Sequence, residues 1–178
     1  MRNGHAWVFS NEVDVQRSPL NTFKPGAAVA IMDHGGKALG VGYVNPNTLI
    51  CARLVARGLR HALDRSLIVH RLNVALALRE RLHALPYYRL VFGESDALPG
   101  LVLDRFGDVI VGQIATAGME ALKDEITAAV AKVIKPICMV WKNTGSARAL
   151  ESLPEYHEVA FGDLPSVIEA EEVHSTTK

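Results

Sequence analysis

Four carboxylates, Glu94, Asp96, Asp104 and Asp108, and two guanidinium groups, Arg89 and Arg105, fall within the stretch RLVFGESDALPGLVLDRFGD, residues 89–108. Carboxylates this close together can supply a general acid and a general base, and a self-contained hydrolase is one reading of them. Their neighbours point elsewhere. Ser95, Asp96 and Gly100 are residues that turns favour, and Asp108 after Gly107 suits a hairpin loop. Asp104 and Arg105 suit ion pairs within a fold. The stretch reads as a turn followed by a hairpin, with catalysis the weaker interpretation.

Nucleophilic and metal chemistry find less support. Cys51 and Cys138 lie inside the apolar runs LICARLV and ICMVW, away from the electropositive, partly exposed setting that makes a reactive thiolate. No two of the seven histidines (5, 34, 61, 70, 83, 157 and 174) stand at the i, i+4 spacing of a helical zinc site. Gly40 and Gly42 match no dinucleotide or phosphate-loop fingerprint and mark a bulge or a close backbone approach instead.

Polyanion binding has the stronger case. Arg53, Arg57, Arg60 and His61 follow one predicted strand and would form a basic edge, while Arg2, His5 and Trp7 could add charge and a stacking surface. For Trp7, followed by Val8 and Phe9, core packing is the better expectation. The formal net charge is zero, yet residues 1–85 carry 11 Lys or Arg against 5 Asp or Glu, and residues 86–178 carry 8 against 14. This split suggests two domains, the basic one facing a polyanion such as RNA.

The elements that must position these residues are legible from periodicity. The segment 25–55 contains three short strand-like runs separated by His34-Gly35-Gly36-Lys37 and Asn45-Pro46-Asn47-Thr48, which fits a compact barrel. Residues 64–85 form the clearest helix: Asp64 can cap it, Ile68, Leu72, Ala75 and Leu82 make one apolar stripe, and Pro86 closes it. It reads as a connector. The second half reads as α+β: a strand at RLVF, a hairpin over LVLDRFGDVIVGQI with Gly107 in its turn, one helix over 119–134, and strands at ICMVWK and YHEVAF. No run reaches the roughly 18–20 apolar residues of a membrane helix, and the N-terminus has no secretory pattern, so the expected location is the cytoplasm and no membrane partner is expected.

Taken in order, GHAWVFSNEVD, PGAAVAIMDHGGKALGVGYVNPNTLICARL and RLVFGESDALPGLVLDRFGDVIVGQIATAGME resemble the front part of bacterial class I SAM-dependent rRNA large-subunit (cytosine-5-)-methyltransferases. The resemblance runs to about residue 172, and ESDALPGLVLDR is its most specific element. It implies a mixed α/β chain: a small PUA-like β-barrel that binds RNA over residues 1–62, a connecting helix over 63–86, an α+β EEHEE-like middle domain over 87–172, and a tail over 173–178. The sequence departs from the family at Ala6, where proline is usual, and at Ala97, where glycine is usual.

The family continues beyond its middle domain into a Rossmann-like methyltransferase domain with a glycine-rich SAM turn, a Pro-Pro motif and catalytic cysteines. None of these has a match in this sequence, and Cys51 and Cys138 are no substitutes for the thiol that attacks cytosine. The expectation is therefore the RNA-binding, substrate-recognition portion of such an enzyme, inactive by itself. It has no catalytic residue, cofactor or metal of its own. S-adenosylmethionine is implied only for the parent enzyme, and the implied partners are large-subunit rRNA and a C-terminal methyltransferase domain. Within that reading Glu94, Asp96, Asp104 and Arg105 are positioning or interface groups, not a chemical centre. The alternative is a stand-alone RNA-binding protein without a catalytic role.

Overall fold

Short alternating runs broken by glycine-rich turns build the first sheet in the computed structural model, which describes residues 5–166. Its strands are β1 (Trp7–Phe9), β2 (Ala27–Met32), β3 (Ala38–Val44) and β4 (Ile50–Arg57), all antiparallel, in the order β1-β4-β3-β2. The β2–β3 turn closes through Asp33 and Lys37, with Gly36 at φ 81° supplying the left-handed residue. Gly40 and Gly42 sit where a side chain would strike the backbone of Ala56 and Arg53, and the register between β3 and β4 shifts beside them. Where a compact barrel was expected, β1 and β2 are the edge strands of an open sheet. The cause is local: β1 is three residues long, and a single turn of 3-10 helix, held by Phe9 N donating to Glu12 Oε2 at 2.8 Å, leads the chain away.

Helix α1 (Arg65–Leu82) begins where Asp64 accepts a hydrogen bond from Leu67 N at 3.0 Å. Leu67, Ile68, Leu72 and Ala75 are buried, but Leu82, expected on the same stripe, is 68% exposed, because the buried face ends one turn earlier at Arg79. The second sheet follows: β5 (Tyr87–Phe92), β6 (Leu101–Phe106), β7 (Val109–Ile114), β8 (Cys138–Asn143) and β9 (Tyr156–Phe161), in chain order across the sheet. Neighbours are antiparallel except β7 and β8, which are parallel. The β6–β7 hairpin turns at Gly107, φ 61°, as its sequence predicts.

Parallel strands need a crossover. Two helices supply it, α2 (Ala117–Ala121) and α3 (Lys123–Val133), where periodicity suggested one; the chain leaves helical geometry at Leu122, φ −103° and ψ 10°. A short α4 (Ser146–Leu150), also absent from the sequence reading, places Arg148 in the interior. Its guanidinium donates to Ile114 O at 2.6 Å, Pro154 O at 2.6 Å and Glu120 Oε2 at 2.8 Å, tying β9 to the crossover.

The expected picture of one helix across a small sheet, joined to the barrel by a connector, needs correcting. Helix α1 packs against α3 and β5, so it belongs to the second layer's core. That core is continuous with the first sheet: Tyr43, Val55 and Ala56 cluster with Leu72, Leu90, Leu98, Met119 and Trp141. The ring of Tyr43 lies directly on Gly118, where a methyl group would collide with it, and its hydroxyl donates to Pro99 O at 2.7 Å. Burial pushes the Tyr43 phenol well above its ordinary pKa, so it stays a neutral donor at every physiological pH. No helix among the described residues is long and apolar enough to cross a membrane.

Candidate nucleic-acid interface

Strand β4 delivers cations to the place where the two sheets meet, but it is an interior strand, between β1 and β3, and not an edge. Its arginines have different fates. Arg53 turns inward and pairs with Glu151 at 2.8 Å, the two side chains being 12% and 4% exposed. The same carboxylate accepts from Asn45 Nδ2 at 2.7 Å and from Ala117 N at 3.3 Å. Arg53 is therefore an internal tie between the sheets and leaves the expected basic edge. Arg57, at the end of β4, and Arg60 and His61, in the turn that follows, remain exposed. Arg2 lies outside the described residues.

Arg57 and His61 share a groove of about 410 Å³ with groups from α1 and from the turn before β6. Arg57, His61, Arg71, Glu94, Ala97 and Pro99 line it, over a floor that includes Val55. Arg71, from the middle of α1, is a lining residue beyond those the sequence singles out as site candidates. It sits one residue before Leu72 on an otherwise apolar face, and an arginine there with no acidic residue a turn away was the available signal. Arg60 is exposed but does not line the groove.

The aromatic contribution differs from both readings of it. Trp7 is neither buried in a core nor free to stack: it is half-buried, and its indole N–H donates to Glu94 Oε1 at 2.9 Å across the junction. His5, exposed, meets the Trp7 ring edge-on with centroids 6.5 Å apart.

Three of the four carboxylates of the opening stretch, Glu94, Asp96 and Asp104, are engaged in the fold. Asp96 takes both arms of Arg79, at 2.6 and 2.7 Å, and accepts from Phe92 N at 2.7 Å. Asp104 pairs across strands with Arg89 at 2.8 Å. Arg105 donates to Gly107 O at 2.9 Å and to Tyr88 Oη at 3.2 Å. These bonds hold the 3-10 turn Gly93–Asp96 and the hairpin in place, with Ala97 closing the turn in left-handed geometry, φ 56° and ψ 33°. Both cysteines are free and fully buried, and burial pushes each thiol pKa up, the direction of an unreactive thiol. No group of three or more potential metal ligands occurs among the described residues.

Comparison with known proteins places these features in a context. Residues 1–57 match the model of the PUA-like domain family. Over 169 residues the chain is 34% identical to ribosomal RNA large subunit methyltransferase I of Aliivibrio fischeri, covering 93% of this chain and 42% of that protein. The corresponding protein of Photobacterium profundum is also 34% identical over the same length, and that of Shigella dysenteriae is 32% identical over 174 residues, covering 96% of this chain and 43% of the relative. The chain thus spans about two fifths of the length of these relatives. Among solved structures, a protein assigned as a SAM-dependent methyltransferase from Streptococcus mutans superposes with a TM-score of 0.71 at 17% identity, over 92% of this chain and 40% of that one. This last likeness is one of fold.

Proposed function

We propose that this chain is the RNA-recognition portion of an S-adenosylmethionine-dependent rRNA large-subunit (cytosine-C5) methyltransferase. The observation that carries the reading is the exposed set Arg57, Arg60 and His61, presented at the end of a PUA-like sheet beside a groove whose one acidic lining residue, among the described residues, is Glu94. Similarity to the large subunit methyltransferases over most of this chain supports rRNA as the polyanion. Exposed cations of this kind hold phosphates, and RNA is gripped through phosphates together with bases that loops leave open. Glu94, Asp96, Asp104 and Arg105 enter this reading as groups that fix the turn beside the interface.

The described residues do not fit the methyl donor. A nucleoside cofactor on an α/β unit sits beyond the end of a strand that feeds a helix of a parallel crossover. At the step from β7 to α2 the described residues form no open glycine-rich turn: Ala117 N donates to the buried Glu151 carboxylate, and the Tyr43 ring covers Gly118. The chemistry these residues perform is recognition.

Binding of the 178-residue chain to a large-subunit rRNA transcript, followed across a salt titration, tests the proposal. Affinity should fall steeply with salt as counterions return to the RNA. The Arg57→Ala/Arg60→Ala variant should bind roughly tenfold more weakly, with the slope of log K against log salt shallower by about 1.4. A salt-independent affinity, or a double variant that binds like the parent, refutes it. Arg53→Ala should instead destabilise the fold by about 3 kcal/mol, since it strands the buried Glu151 carboxylate.

A further inference from the structure

We propose that the groove between the sheets is a phosphate subsite in which Arg71 and Arg57 grip one phosphodiester of the bound RNA. The inference rests on the RNA-binding reading above and gives it a specific place. Arg71 is the reason. The other largely buried arginines each have a carboxylate: Arg53 has Glu151, Arg79 has Asp96 and Arg148 has Glu120. Arg71 makes no salt bridge among the described residues. Its one hydrogen bond is long, from Nη2 to Val55 O at 3.4 Å, and its Nε is buried with no partner among the described residues.

A half-buried guanidinium without a counter-charge is costly, and such groups persist where a ligand completes them. The surroundings specify the ligand's charge. Arg57 and His61 line the same groove, and Glu94, the one acid there, is held at the rim by Trp7. The balance is positive. A guanidinium presents its donors as a planar fork that matches two oxygens of a phosphate. The volume of about 410 Å³ accommodates a phosphate together with its sugar.

Burial of an unpaired cation and ligand binding make opposite demands on this residue, and that separates a binding role from a structural one. Arg71→Met keeps the aliphatic stem and removes the charge. It should leave Tm unchanged or raised, while weakening binding of an oligouridylate of about ten nucleotides by roughly tenfold or more. The slope of log K against log salt should become shallower by about 0.7. In the parent chain, the Arg71 Nε–H resonance should shift on titration with inorganic pyrophosphate as well as with the oligouridylate.

Unchanged RNA affinity in Arg71→Met overturns the subsite while leaving the RNA-binding reading intact. A fall in Tm accompanying the loss of affinity also overturns it, because it marks Arg71 as a packing residue. A resonance that moves with pyrophosphate in a chain that binds no RNA keeps the phosphate subsite and overturns the RNA reading. A resonance that moves with neither probe removes the subsite.

Discussion

Ala97 shows how much one residue can disclose. Its backbone is left-handed, φ 56°, a conformation that glycine adopts more readily than any residue with a side chain. A Cβ in that geometry costs about 1 kcal/mol relative to glycine. Ala97→Gly should therefore raise Tm by about 2–4 °C, measured by thermal unfolding. The residue types in the neighbouring stretch were equally legible: Ser95, Asp96 and Gly100 announced a turn, and the bonds of Asp96 and Asp104 are those of a scaffold. Side-chain destinations were not legible. Arg53 and Arg57 look alike in sequence, and only the fold, by setting Glu151 opposite one and groove space beside the other, makes the first a tie and leaves the second exposed at the groove. Trp7 was misjudged for the same reason, since its partner Glu94 is 87 residues away.

Among the elements, α1, the β6–β7 hairpin and strands β8 and β9 could be read because their apolar periods and turn residues are local properties. The break between α2 and α3 escaped because Leu122 continues the apolar pattern while its backbone does not continue the helix. The role of α1 escaped too: a capped amphipathic helix between two differently charged halves looks like a connector until its partners are known. Arg79 ties α1 to β5 by donating to Arg89 O and to the turn after β5 through its fork on Asp96, the two side chains being 12% and 8% exposed. Asp96→Asn leaves that guanidinium nearly buried without its charge partner and should cost about 3 kcal/mol in urea unfolding. Adding Arg79→Met to the same chain should return most of that loss, whereas additive losses would show the pair to be uncoupled.

For the whole molecule, the charge split between halves turns out to be partly internal. Arg53, Arg65 and Arg79 of the basic half pair with Glu151, Glu125 and Asp96 of the acidic half. An imbalance that reads as a signal for a polyanion is thus partly spent within the fold, while Arg57 and Arg60 face outward and Arg71 lines the groove without an ion-pair partner among the described residues. Because Tyr43, Val55 and Ala56 share one core with α1 and the second sheet, calorimetry should give a single unfolding transition. Gly118→Ala, which forces a methyl group into the Tyr43 ring, should destabilise by about 1–3 kcal/mol and broaden or split that transition. A parent chain that already melts in two steps would mean the sheets fold independently. The two indoles finally give the molecule a pair of natural optical labels. Trp141 is sealed in the core with its N–H on Thr127, whereas Trp7 is half-buried with its N–H on Glu94, a residue that lines the groove. The blue-emitting chromophore reports whether the interior is intact, and the redder one reports what happens in the groove.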